Sequence, residues 1–270
     1  MTQTMEPQAT AGQANLPRVS HWINGRIVES TSGKSRPVYN PATGQQTKTV
    51  DVASPQEIEM AIEAAKAAFP MWRATSLSKR ADLMFRIRNA FDAHRDEIGA
   101  LITSEHGKVL SDAAGELARG IENIEYACGV PQLQKGEFSE QVSGGVDVYS
   151  IRQPLGVVAG ITPFNFPAMV PMWMFGNAIA SGNTFILKPS TVDPSVSVYL
   201  AQLMQEAGLP DGVFNVLQGD RVAVAGLTEH PDIAAVSFVG STPAARRIYE
   251  TGTKDGKRVQ ALGGAKNHMI

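Results

Sequence analysis

Three loops carry side chains capable of chemistry, and each follows a short apolar run that predicts a strand. Their sequences are TPFNFP over residues 162–167, LKPS over residues 187–190 and FVGST over residues 238–242. In an open α/β sheet, ligands bind beyond the carboxyl ends of the strands. A binding or catalytic site is therefore expected where these loops meet.

Each loop offers one chemical role and one simpler role. The amide of Asn165 could donate a hydrogen bond to a developing oxyanion, or it could stabilise a proline-rich turn. Lys188 ends an apolar run, where a ribose hydroxyl or phosphate would explain it, although strand-end lysines are often solvated charges. Ser241 begins a helix whose first amides could bind a pyrophosphate, or it could simply cap that helix.

The carboxyl-terminal half predicts the sheet that positions these loops. Apolar runs at 157–161, 184–187, 213–216 and 235–238 alternate with helical patterns at 169–181, 194–207, 222–228 and 243–251. This alternation predicts an α/β fold with a parallel sheet covered by helices on both faces. Residues 267–270 predict the start of one more strand.

The amino-terminal half predicts supporting layers. Residues 1–17 are poor in large apolar groups and predict a disordered tail. A small hairpin layer is expected from strands at 22–28, with a turn at Asn24-Gly25, and at 47–52, after a turn at 40–44. Helices are expected over 55–69, over 78–94 and, after a break, on to 107, and over 111–130, followed by a hairpin arm near 136–152.

Composition excludes several classes of function. The chain of 270 residues has 24 Lys+Arg and 26 Asp+Glu, without the basic excess that nucleic-acid binding requires. Prolines and asparagines interrupt the most apolar stretch, 157–186, so no membrane span is expected. The single cysteine, Cys128, allows neither an internal disulfide nor a cysteine metal site, and with no signal peptide it favours the cytoplasm. The ordinary dinucleotide fingerprint and the P-loop are both absent from the sequence.

The order and spacing of the three loops resemble the aldehyde dehydrogenase superfamily over about residues 20–270. Residues 115–128 and 261–268 look like the branch that contains the CoA-acylating methylmalonate-semialdehyde dehydrogenases (EC 1.2.1.27). The resemblance implies a Rossmann-type NAD-binding domain over 18–270 with flanking helices. It also implies that the hairpin near 136–152 is an oligomerisation arm of a homodimer or homotetramer.

The resemblance further implies a reaction. A cysteine attacks the aldehyde, hydride passes to NAD, and the thioester is released to coenzyme A. Methylmalonate or malonate semialdehyde would give propionyl-CoA or acetyl-CoA, a step of valine catabolism. By position, Asn165 would hold the oxyanion, Lys188 the adenosine ribose and Ser241 the pyrophosphate. The NAD cleft would also include Thr162, Phe164, Thr191, Val192 and Gly263.

Arg119 would, by the same resemblance, help to hold the carboxylate of the substrate. Its simpler role is a surface salt bridge with Glu116 or Glu122.

The chain departs from the family pattern at three positions. Ala261 stands where many hydrolytic members have a glutamate that activates water, which favours an external thiol as acyl acceptor. Thr191 replaces an acidic residue that commonly binds a ribose hydroxyl, and Ala245 replaces a glycine. These two changes leave the choice between NAD and NADP open.

The family's catalytic cysteine falls beyond the position of Ile270, and Cys128 in its helical run is no substitute. We therefore expect a fragment that lacks the catalytic domain and is inactive alone. A non-catalytic nucleotide-binding or assembly module is the alternative from another class. Another branch, such as succinate-semialdehyde oxidation, is disfavoured by Ala261.

Overall fold

A computed structural model of the chain describes residues 16–266 and 268–270. Its strands are β1 (Arg18–Val19), β2 (His21–Ile23), β3 (Arg26–Val28), β4 (Ser35–Asn40), β5 (Gln45–Asp51), β6 (Phe138–Ser143), β7 (Val146–Tyr149), β8 (Val157–Ile161), β9 (Thr184–Lys188), β10 (Phe214–Val216), β11 (Ile233–Val239) and β12 (Arg258–Leu262). Its helices are α1 (Pro55–Ala74), α2 (Leu77–Ala93), α3 (Arg95–His106), α4 (Leu110–Cys128), α5 (Val130–Leu133), α6 (Met169–Ala180), α7 (Ser195–Glu206), α8 (Arg221–Glu229) and α9 (Thr242–Lys254).

The main sheet has the strand order β12-β11-β8-β9-β10-β2-β3. Its first five strands are parallel, whereas β2 and β3 are antiparallel additions at one edge. Neighbouring side chains of β9 alternate between two cores, as the pleat of a strand requires. Phe185 and Leu187 belong to the core that contains α6 and α7, whereas Ile186 belongs to the core that contains α1, α8 and α9. The predicted parallel sheet with helices on both faces is confirmed.

Long-range pairing overrides the predicted hairpin layer. β2 and β3 do not form a separate hairpin layer, because Trp22 pairs with Val216 and the Asn24 amide donates to the Asn215 side chain. The unpredicted strand β4 pairs with β5, and β1 completes their small sheet. The pattern of β4 is polar and mostly exposed, so its sequence lacks the apolar alternation of a strand.

The last parallel strand also differs from the prediction. It is β12, which pairs with β11 along its whole length. The strand predicted at 267–270 is wrong for residues 268–270, which adopt no regular structure, and Asn267 lies outside the described residues. Alternating exposure along β12 reflects an edge strand.

Helix α1 continues through Pro70 to Ala74, five residues beyond its predicted end. Its last turn buries Trp72, whose indole N–H donates to the carbonyl oxygen of Ile179 at 3.0 Å. Tertiary burial therefore outweighs the hydrogen bond that the proline cannot make. At the other end, Ser54 and Glu57 form the predicted capping box.

The predicted hairpin arm is present as β6 and β7, and every residue of both strands is exposed. Its role in oligomerisation stays a prediction. The predicted tail lies outside the described residues as far as residue 15. The carbonyl oxygen of Pro17 already accepts a hydrogen bond from the amide of Thr49.

Candidate functional site

The strand register aligns the ends of four parallel strands in one row. Ala261 pairs with Phe238, Phe238 with Ile161, and Ile161 with Lys188. Three inter-strand spacings span about 14 Å. The loops that contain Asn165, Ser241 and Gly263 all leave from this row, so the structure brings the sequence-predicted segments to one edge of the sheet.

The first loop places Thr162 and Asn165 differently. The amide of Thr162 donates to the carbonyl oxygen of Lys188 at 3.2 Å, and the Thr162 hydroxyl is buried without a partner among the described residues. The Asn165 side chain is exposed and makes no hydrogen bond within the described part of the chain. It therefore does not stabilise the turn, and its amide is free to donate to a ligand.

Lys188 is a buried cation rather than a solvated one. The residue is 8% exposed, and its ammonium makes no hydrogen bond or ion pair with any described residue. Burial lowers the pKa of Lys188 to about 8, against the opposing attraction of the nearby Asp220 carboxylate. A ligand oxygen at this edge would supply the missing partner.

Ser241 occupies the N-cap position of α9, but its side chain makes no capping hydrogen bond. The segment that contains Gly263 runs beside it, because the Gly240 amide donates to the Leu262 carbonyl and the Gly264 amide donates to the Thr242 hydroxyl. A Cβ at Gly263 would lie 3.0 Å from the Cα of Thr242, so this close approach favours glycine.

Helix α9 differs from the other three helices that follow the parallel strands. A Glu116 oxygen accepts the amides of Ala168 and Met169 at the start of α6, and a Glu105 oxygen accepts the Ser195 amide at the start of α7. Asp220 caps α8. No carboxylate occupies the start of α9 among the described residues, which leaves its positive end open to an anionic ligand.

Two cavities flank the row of strand ends. One, of about 490 Å³, lies between α8 and α9 beside Ser241, and its walls include Val224, Ala225, Thr228, Phe238, Ala244 and Ile248. The other, of about 400 Å³, is lined by Phe164, Thr191 and Val192 together with Arg36 and His106.

The ion pair between Arg36 and Asp220 links the two cavities. Its atoms are 3.4 Å apart, Arg36 lines the second cavity, and Arg221, next to Asp220, lines the first. Lys188 interacts electrostatically with both members of this pair.

These features fit a dinucleotide. The cleft between α8 and α9 has the apolar walls and volume for a heteroaromatic base, and the open end of α9 suits a phosphate. The unpaired Lys188 ammonium and Thr162 hydroxyl can bond to sugar or phosphate oxygens. Sequence reasoning missed the α8 wall, because small and apolar residues that contact a base follow the same pattern as core residues.

Arg119 lies outside this edge. It is exposed on α4 and forms a surface salt bridge with Glu122, with both oxygens 2.9 Å from the guanidinium. Glu116 is buried and pairs with Lys108 instead. The simpler of the two roles considered for Arg119 is therefore the one that its contacts display, and carboxylate binding stays a prediction.

Cys128 is buried at the end of α4, where its thiol donates to the Ile124 carbonyl oxygen. Burial raises the pKa of this thiol to about 11, so almost no thiolate forms near neutral pH. Within residues 16–266 and 268–270, no three His, Cys, Asp or Glu side chains cluster in a way that could hold a metal ion. Over the same residues, every helix is too short or too polar to cross a bilayer.

Comparison with known proteins shows which family has this sequence and fold. Residues 27–270 match the aldehyde dehydrogenase family. The chain is 56% identical over 250 residues to malonate-semialdehyde dehydrogenase of Pseudomonas aeruginosa, covering 93% of this chain and 50% of that protein. It is 49% identical over 264 residues to the acylating, mitochondrial methylmalonate-semialdehyde dehydrogenase of Arabidopsis thaliana, covering 98% of this chain and 44% of that protein.

A solved structure agrees with these relatives. A protein of Sinorhizobium meliloti 1021, assigned as a methylmalonate-semialdehyde dehydrogenase and complexed with NAD, superposes with a TM-score of 0.92 at 52% identity. The alignment covers 95% of this chain and 52% of that one. The chain thus spans about half the length of the relatives it matches. Its sequence and its fold together show that the chain belongs to the aldehyde dehydrogenase family.

Proposed function

We propose that this chain is the NAD-binding part of a malonate- or methylmalonate-semialdehyde dehydrogenase. The observation that carries the proposal is the buried ammonium of Lys188, which has no partner among the described residues and lies at the carboxyl end of β9, in the row of strand ends. A buried, unpaired cation is costly unless a ligand completes its environment. The similarity to an NAD-complexed structure supports NAD as that ligand.

The proposed roles follow from position. The adenine lies between α8 and α9, Lys188 donates to the adenosine ribose, and the amides at the start of α9 beside Ser241 hold the pyrophosphate. Gly263 approaches Thr242 closely beside this helix start. Phe164, Thr191 and Val192 line the second cavity, which we assign to the nicotinamide side, and Thr162 directly follows β8 at the same edge of the sheet.

For the whole protein, we propose oxidation of the semialdehyde carbon, for which NAD, when bound, accepts the hydride. The exposed amide of Asn165 donates a hydrogen bond to the oxygen that gains negative charge. Arg119 would pair with the carboxylate of the substrate in exchange for Glu122. The names of relatives support the substrate class.

Coenzyme A is the proposed acyl acceptor. Ala261 lies in the same row of strand ends as Ile161 and Lys188. Its methyl group cannot activate water for hydrolysis of a thioester. An external thiol then takes the acyl group, and loss of the substrate carboxylate as carbon dioxide gives propionyl-CoA or acetyl-CoA. The word acylating in the name of the Arabidopsis relative supports this branch.

The chain of 270 residues is expected to bind NAD without turning over, because its only cysteine is the buried, protonated Cys128. Assembly into a homodimer or homotetramer through the arm of β6 and β7, and residence in the cytoplasm, stay predictions.

Calorimetric titration with NAD tests this proposal. We expect saturable binding of one NAD per chain. Ala244→Tyr, which fills the cleft between α8 and α9, should abolish it, whereas Ala114→Tyr on the exposed side of α4 should not. Absence of binding by the folded wild-type chain would contradict the proposal. Formation of NADH with malonate semialdehyde and coenzyme A would contradict the expected inactivity.

A further inference from the structure

The loop over residues 162–168 is held by a charged pair that lies outside the cleft. Its own backbone supplies few bonds, and Ala168, at the N-cap of α6, offers no side-chain cap. The buried carboxylate of Glu116, on α4, takes that role instead. One of its oxygens accepts the amides of Ala168 and Met169, at 2.8 and 3.1 Å.

The second oxygen of Glu116 accepts a hydrogen bond from the Lys108 ammonium at 2.6 Å. The same ammonium donates to the backbone carbonyl oxygen of Asn165 at 2.9 Å and lies 4.5 Å from the centre of the Phe166 ring. One cation therefore joins the middle of the loop to the carboxylate that fixes its end. Charge-assisted bonds of this kind are roughly twice as strong as neutral ones.

The segment that presents Lys108 touches the loop at a third point. The ring of His106 stacks on that of Phe164, with centroids 6.2 Å apart. Gly107 ends α3 in a left-handed conformation, and a Cβ there would lie 2.6 Å from a Pro41 carbon. Three successive loop residues, 164–166, thus each contact the segment 106–108.

We propose that Lys108 and Glu116 are positioning residues that hold the 162–168 loop, and with it Thr162, Phe164 and Asn165, in the geometry that receives the nicotinamide end of NAD. This inference rests on the proposed function for the identity of the ligand. It requires that loss of the pair loosen the loop and weaken contacts made there, while the adenosine end of the cleft, 240–242 and α8, is unaffected.

Lys108→Met in the 270-residue chain removes the cation of the pair. The matched control is Lys79→Met, because Lys79 is an exposed lysine on α2. Hydrogen exchange read by mass spectrometry should accelerate about tenfold at the amides of 162–169 and remain unchanged at 240–246. The affinity for NAD should fall about fivefold, while that for AMP, which lacks the nicotinamide half, stays within about twofold.

Glu116→Gln provides a second variant, because it keeps an acceptor for the amides of α6 while removing the charge that pairs with Lys108. The same pattern with a smaller amplitude is expected. Unchanged exchange at 162–169 in both variants, or equal losses of NAD and AMP affinity, would overturn the proposal. If the wild-type chain bound neither nucleotide, the proposed function would fail, and the exchange measurement would still decide whether the pair holds the loop.

Discussion

Two helices at the same edge of the sheet begin in opposite ways. The start of α6 is closed by the buried carboxylate of Glu116, itself paired with Lys108. The start of α9 is exposed, and Ser241 leaves its amides without a side-chain acceptor. In the first arrangement, the amides at the helix start help to hold a loop and are not available to a ligand. The second leaves a helix end free for a ligand, which is why we assign the pyrophosphate to α9.

The same contrast extends to α7, where Glu105 accepts from Ser195 and pairs with Lys48. Both capping glutamates have side chains with no exposed surface. Glu105 lies on α3 and Glu116 lies on α4, in the helical layer whose sequence comes before the parallel strands. That layer therefore does more than cover one face, because it fixes the loops that leave the carboxyl edge.

Removal of the closed cap should have the largest effect. Glu116→Ala leaves two helix amides and the Lys108 ammonium without their acceptor, so we expect a loss of about 3 kcal/mol in the free energy of unfolding. Urea denaturation measures it. Glu122→Ala, which breaks the exposed salt bridge with Arg119, is the matched control and should cost less than about 1 kcal/mol. Equal losses would contradict the assigned role of the buried cap.

A carboxylate placed at the start of α9 should weaken NAD binding strongly and leave the fold intact. Ser241→Asp places a carboxylate where the pyrophosphate is expected, so binding should weaken about thirtyfold through like-charge repulsion and occupation of the amides. The free energy of unfolding should rise by about 0.5 kcal/mol. Ser241→Asn, a neutral cap of the same size, separates charge from shape and should have a smaller effect on binding by calorimetry. Unchanged affinity in Ser241→Asp would place the pyrophosphate elsewhere.

Titration of Lys188 should make the affinity for NAD depend on pH. Burial lowers the pKa of Lys188 to about 8, so the free protein loses this charge as pH rises through that value. NAD affinity should fall above about pH 8, and Lys188→Met should bind about tenfold more weakly at pH 7 without that inflection. A flat wild-type profile from pH 7 to 9.5 would argue against Lys188 as a ligand-binding cation.

The effect of Lys188 on stability has the opposite direction to its effect on binding. The unfolded chain holds more protons than the folded one between about pH 8 and 10.4, so wild-type stability contributed by this group rises with pH across that window. Lys188→Met should remove this rise. Thermal denaturation across the same pH range measures it.

The smallest effect is expected at Cys128. Its thiol is buried with a pKa of about 11, so iodoacetamide should modify it slowly in the folded chain and rapidly in denaturant. Cys128→Ala should leave the NAD affinity unchanged within about twofold, since this position contacts neither cavity. Rapid labelling of the native chain would show that the end of α4 opens.

Sequence alone predicted the parallel sheet because its apolar runs are continuous and lie between helical patterns. β8 spans the predicted residues, and α6 ends one residue before its predicted end. It also predicted which loops leave the carboxyl edge, since that edge follows from strand direction. Local patterns sufficed where local burial determined the structure.

Sequence could not predict partners that meet only in the folded chain. Lys108 and Asn165 are 57 residues apart, and nothing local marks the lysine as a support for that loop. The placement of β2 beside β10 depends on the pairing of Trp22 with Val216 and on the bond from the Asn24 amide to Asn215, 191 residues away in the sequence. The cleft wall on α8 was missed because base-contacting residues and core residues share the same apolar pattern.

A crystal structure of this chain with NAD would show whether the carboxyl edge of the sheet holds the dinucleotide. We expect the adenine between α8 and α9, the pyrophosphate at the amides after Ser241 and an adenosine ribose hydroxyl within hydrogen-bond distance of the Lys188 ammonium. Density for the dinucleotide at another surface, or an empty cleft at saturating NAD, would contradict the account.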